Sequence, residues 1–124
     1  MANQPLRGFA RLSAALRNSR AGLRDIWRGE EAFRIEMICW LVSTPLAFFI
    51  ADTVFHAAIL IAAGLLLMIV EVLNSAIEAV VDRIGPERHD LSRMAKDLGS
   101  LAVLGATMLL GLLWLAALWQ WAVG

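Results

Sequence analysis

A single cysteine, Cys39, leaves no intrachain disulfide in 124 residues. It falls inside an apolar stretch and reads there as a small apolar side chain. The two histidines, His56 and His89, have no second histidine or cysteine at ligand spacing, which excludes a zinc-type centre built from Cys and His. There is no G-x-x-x-x-G-K-[ST] and no G-x-G-x-x-G, so the phosphate-cradling loops of common soluble nucleotide enzymes are missing. Lysine occurs once, as Lys96, against ten arginines. Charged residues make up only 18%, and the formal net charge is zero, so no nucleic-acid partner is expected. Hydrophobic residues reach 60% and mean hydropathy +0.68, too apolar for an ordinary water-soluble domain.

The few charges are unevenly placed. Seven of the eleven basic residues precede the first apolar run, and the other four (Arg83, Arg88, Arg93 and Lys96) lie between the last two runs. The link around Asp52 carries neither Lys nor Arg. By the positive-inside rule the N-terminus and the 83–97 connection face the cytoplasm, while the 51–56 turn and Gly124 face out. Three crossings satisfy that arrangement. The expected fold is an all-α membrane protein of one domain over 1–124. An amphipathic surface helix spans about 6–28, with a possible break at Gly22, and transmembrane helices span about 35–51, 54–82 and 98–122. Pro45, with Ser43 and Thr44 beside it, lies in the first span, where hydroxyls or neighbouring helices can satisfy the carbonyl it frees. Thr53 or Asp52 is expected to cap the second span, and Gly85-Pro86 to end it. Residues 87–97 read as a charged loop or short helix. The third span offers small residues (Gly99, Ser100, Ala102, Gly105, Ala106) for close helix packing, and Trp114, Trp119 and Trp121 as an aromatic belt.

The chemistry concentrates in Glu71–Asp82, EVLNSAIEAVVD, which continues the apolar run without breaking its helical pattern. At about 100° per residue, Glu71, Asn74, Glu78 and Asp82 fall near 0°, 300°, 340° and 20°, one stripe with Ser75 beside it. Glu78 and Asp82 have a plain alternative as wet residues where a helix leaves a membrane. Glu71 lies among Ile69, Val70, Val72 and Leu73, and a carboxylate in membrane-grade sequence is a functional candidate by default. Carboxylates, one lysine and many arginines at a membrane surface are the parts phosphoryl transfer needs: magnesium on carboxylate oxygens, cations on phosphate, a base for the acceptor hydroxyl.

The order E-x-x-N-S-A-I-E-x-x-V-D resembles the pattern of the small integral-membrane diacylglycerol kinases of bacteria. E-x-A-F-R at 30–34, A-K-D-L-G-S at 95–100 and the basic amphipathic start extend the likeness over most of the chain. The resemblance implies an ATP- and Mg2+-dependent phosphorylation of diacylglycerol to phosphatidic acid at the cytoplasmic face of the bacterial inner membrane. In it Glu71 is the general base, and Asn74, one turn on, orients Glu71 or the acceptor hydroxyl. Glu30 and Glu78 hold magnesium on the nucleotide. ATP contacts fall to Arg11, Glu30, Glu78, Glu87, Arg88, His89, Lys96 and Asp97, and lipid contacts to Arg11, Arg24 and Glu71. Lys96 neutralises charge on the moving phosphoryl group, Asp82 is a supporting candidate and Glu36 a weaker one at the membrane edge. Without the resemblance, Glu30 and Arg34 are simply four apart on a helix, an ordinary ion-pair spacing. The family also implies a homotrimer whose active sites are completed between subunits.

Asn18 and Ser19 depart from the family where relatives often carry aromatics, and Pro86 and Arg88 alter the loop after the motif. Undecaprenol kinases share the carboxylate pattern and differ in acceptor, which an acceptor assay separates. A non-enzymatic membrane oligomer would show no ATP dependence, and would leave Lys96 and Glu30 without a task.

Overall fold

The computed structural model describes residues 4–124. Four helices follow one another: α1 (Gly8–Gly29), α2 (Glu31–Ile50), α3 (Val54–Ile84) and α4 (Asp90–Val123). Among the described residues there is no strand. α2, α3 and α4 are each long and apolar enough to cross a membrane. The chain divides into two compact units, residues 1–31 and 32–124.

The first unit is essentially α1. It runs unbroken through Gly22, where the sequence suggested a break, because a lone glycine costs a helix only about 1 kcal/mol. Leu12, Leu16 and Leu23 are exposed along it among the arginines, as a helix with a lipid-facing side requires. Glu30 follows in an extended conformation (φ −119°, ψ 104°), and its N–H closes the last turn on Ile26 O at 2.9 Å.

The second unit is an up-down-up arrangement of α2, α3 and α4. Thr53 caps α3, its hydroxyl oxygen accepting from His56 N at 3.1 Å. Buried positions of α3 recur at Ala57, Leu60, Ala63/Gly64 and Leu67/Met68, a stripe of helical period aimed inward. Ala47, Ala57 and Leu60 form the core where α2 turns into α3, with Leu113, Trp114 and Ala117 of α4 packed on it. Trp114 therefore packs inward, whereas Trp119 and Trp121 are exposed as belt residues would be.

One buried contact ties α2 to α3. Trp40 Nε1 donates to Ile61 O at 2.9 Å, and its ring fills the notch left by Gly64. The hydroxyls near Pro45 behave differently from the expectation. Ser43 and Thr44 both donate to Trp40 O (3.0 and 2.8 Å), whereas the carbonyl that Pro45 deprives of its N–H is that of Leu41. They reinforce the turn carrying Trp40 rather than repairing the proline.

At the opposite end α3 stops at Gly85. Its φ of 156° and ψ of 166° belong to a region essentially reserved for glycine, and a Cβ there would stand 2.6 Å from Glu87 Oε2. The connection is short. α4 starts at Asp90, so most of the 87–97 stretch is the first two turns of the third long helix. His89 caps it, Nδ1 accepting from Leu91 N at 3.1 Å.

Candidate active site

The polar stripe of α3 emerges as its periodicity demands. Glu71, Asn74, Ser75 and Glu78 are half-buried, while Leu73, Ile77 and Val80 face away and are exposed. Asp82 ends the stripe in the open. Asn74 Nδ2 donates to Glu78 Oε1 at 3.4 Å, a long bond. The amide is thus turned towards Glu78, one helical turn on, rather than towards Glu71. Its Oδ1 is buried, meets no described N–H or O–H donor, and rests against Gly99 of α4.

α2 adds a residue that the sequence ranked low. Glu36 is half-buried, and its side chain faces Glu71. Glu36 Oε2 is buried with no described partner. Spacing along one helix says nothing about a partner on another, so this pairing had no signal in the sequence beyond the carboxylate at the membrane edge.

α4 supplies the cation. Lys96 Nζ pairs with Asp82 Oδ1 at 2.8 Å across the α3–α4 seam. Arg93 pairs with Asp97 at 2.8 Å, one turn apart on the same helix. Beside these pairs lies an open cleft of about 720 Å³, walled by Asp82, Arg88, His89, Arg93, Lys96 and Asp97. Glu87, Arg88 and His89 are exposed at its mouth, where His89 also serves as the helix cap. The unit thus brings together Glu36, Glu71, Asn74, Glu78, Asp82 and Lys96, with the 87–97 residues alongside. Arg11 and Arg24 are exposed on α1, and Glu30, half-buried, directly follows α1 in the chain; all three belong to the other unit.

Among the described residues no three His, Cys, Asp or Glu side chains converge to hold a metal. Magnesium does not require that, since it commonly takes one or two carboxylates and completes its octahedron with water and phosphate oxygens. A lone carboxylate with one oxygen lightly engaged, as Glu78 has, suits such a role.

Carboxylates and one lysine meet at the end of three apolar helices, and comparison with known proteins decides the lineage of the chain. The sequence pattern described as "Prokaryotic diacylglycerol kinase" matches residues 17–118. The chain belongs to the prokaryotic diacylglycerol kinase family. It is 46% identical to the diacylglycerol kinase of Escherichia coli (strain K12) over 113 residues, 91% of this chain and 93% of that one. It is 42% identical to the diacylglycerol kinase of Haemophilus influenzae over 107 residues, 86% of this chain and 91% of that one. The diacylglycerol kinase of Pseudomonas aeruginosa is 44% identical over 107 residues, 86% of this chain and 87% of that one. All three likenesses cover most of both partners, so the resemblance extends well beyond the motifs.

Proposed function

We propose that this chain is an inner-membrane lipid kinase that transfers the γ-phosphoryl group of ATP to diacylglycerol with magnesium, yielding phosphatidic acid. The observation that carries the reading is the meeting of the Glu71–Asp82 stripe with Lys96 where α3 and α4 leave their apolar stretches. At about 1.5 Å per residue, Glu71 stands about 26 Å along α3 from Val54 and Glu78 about 36 Å, against a hydrocarbon core of about 30 Å. Glu71 then lies at the inner edge of the lipid and Glu78 beyond it. This suits a lipid hydroxyl arriving from one side and a polyphosphate from the other.

In this reading Glu71 accepts the proton of the primary hydroxyl as it attacks phosphorus. Asn74 holds Glu78, and Glu78 with Glu30 would hold the magnesium ion, which when bound neutralises phosphate charge. Lys96 offers a compact charge to the transferring group. The 87–97 cleft takes the nucleotide through Glu87, Arg88, His89 and Asp97. Arg11 on α1 serves ATP and lipid, and Arg24 the lipid headgroup region. The N-terminus lies in the cytoplasm, and the whole chain acts as one domain within a homotrimer whose sites are completed between subunits.

The test is transfer from labelled ATP to diacylglycerol in mixed micelles, with and without magnesium, comparing the native chain with Glu71→Gln. General-base loss is expected to lower kcat by about 10²–10⁴-fold, with assembly intact. Transfer to undecaprenol alone would keep the site and overturn the acceptor. No transfer to either lipid from an assembled sample would overturn the kinase reading.

A further inference from the structure

Gly99 sits on α4 one turn beyond Lys96 and is one of only two buried residues of that helix, the other being Ala106. Its neighbour is not another helix backbone but the carboxamide of Asn74. A Cβ on Gly99 would fall on Asn74 Oδ1, 3.2 Å from Asn74 Cγ and 3.8 Å from its Cβ. The amide oxygen therefore occupies the volume of an alanine methyl. That oxygen is buried and has no described N–H or O–H donor, so the α-hydrogens of Gly99 are the polarised groups facing it. The other end of the same amide is tied to Glu78.

We propose that Gly99 is a positioning residue for phosphoryl transfer: its bare Cα is the seat of the Asn74 carboxamide, and through that amide it fixes the direction of the Glu78 carboxylate. The proposal rests on the kinase reading above for its functional consequence, but the seat itself is a feature of the α3–α4 seam. The contact with Glu78 is the weakest restraint on the amide. At 3.4 Å it yields before the Asn74 backbone or the helix axes do. A methyl at position 99 turns the amide out of its seat, and Glu78 loses the donor that holds it.

The rest of α4 provides a matched comparison, because a Cβ on Gly111 would meet open space. Gly99→Ala is expected to lower kcat about 10–100-fold, the scale of a misplacement of about an ångström, and to raise the magnesium concentration for half-maximal rate. Gly111→Ala is expected to leave both unchanged. A second readout needs neither metal nor nucleotide: the melting midpoint in detergent of Gly99→Ala, Asn74→Ala and the double variant. If the methyl collides with the amide, Gly99→Ala lowers the midpoint of the native chain by several degrees, and removal of the amide in Asn74→Ala relieves most of that drop. Should Gly99→Ala alone fail to assemble, assembly of the double variant supports the seat, and continued failure overturns it. An equal drop in both backgrounds, or kinetics like those of Gly111→Ala, also overturns the proposal. A native chain without transfer to any lipid would end the kinase reading, while the melting cycle would still decide the seat.

Discussion

At the scale of single residues, charge placement separates what holds the protein together from what acts. Lys96 and Asp82 form an ion pair at 2.8 Å, yet both side chains are substantially open to solvent. Such a pair adds little to stability. In the proposed mechanism it holds the single lysine beside the cleft. Lys96→Ala is expected to cost about 10²-fold or more in kcat while the melting midpoint stays put. Asp82→Asn is expected to lower the KM for ATP, since the carboxylate competes with phosphate for the same ammonium. Initial rates across an ATP titration in mixed micelles check both, and a raised KM in Asp82→Asn would show instead that Asp82 aims the lysine. The order of carboxylates on α3 was legible in the sequence, because one helix carries them at a period that can be counted. The partners across helices were not: Glu36 facing Glu71, and Gly99 under Asn74, depend on how three helices are set against each other. His89 illustrates a third case, since the capping of α4 became visible only once the helix was seen to begin at Asp90.

At the scale of the element, the three long helices were readable from their apolar runs and punctuation. Thr53 caps and Gly85 stops α3 as their chemistry suggests. What the runs concealed is how α2 is locked. A half-buried polar anchor is Trp40, which inserts its ring at Gly64 and donates to Ile61 O. A Cβ on Gly64 would crowd that indole, with Nε1 at 3.0 Å. Gly64→Ala is therefore expected to destabilise the folded unit by about 1–3 kcal/mol, as overpacking does. Trp40→Phe removes both the hydrogen bond and the pyrrole edge that sits at Gly64, for about 1–3 kcal/mol. Denaturant or thermal melts in detergent measure both. Equal stability of native and Gly64→Ala protein would mean that the indole moves aside freely. For the carbonyl freed by Pro45 the sequence offered hydroxyls or neighbouring helices, and Ser43 and Thr44 instead serve the turn that presents Trp40.

At the scale of the whole molecule, one copy has a thin interior. Its buried residues are few and include small ones such as Ala47, Ala57 and Ala63, while large apolar side chains from Ile35 to Trp121 lie exposed along all three long helices. Lipid covers some of this surface, and the proposed trimer would cover more. If neighbouring copies complete each other's sites, two inactive variants can complement. Mixing Glu71→Gln with Glu30→Gln chains before assembly is expected to restore a fraction of native rate, because some sites then draw Glu71 from one copy and Glu30 from another. Zero recovery in mixed trimers would place both residues of each site in one copy. Family membership was legible because its motif is local in sequence. Stoichiometry was not, because it is decided by outer faces that look alike to lipid and to a second helix.

α3 runs from Val54 to Ile84 with no hinge between its lipid-embedded stretch and the polar stripe. In the proposed mechanism the Glu71 carboxylate is consequently mounted at a fixed altitude, and the bilayer itself becomes an input to the reaction. A thicker membrane submerges Glu71 and draws the nucleotide side away from it. A thinner one lifts it out of reach of the lipid hydroxyl, since a rigid span adapts to mismatch mainly by tilting. In vesicles of defined phosphatidylcholines, the rate is expected to pass through a maximum as acyl length increases. The protein would in effect gauge the thickness of the membrane whose lipids it modifies.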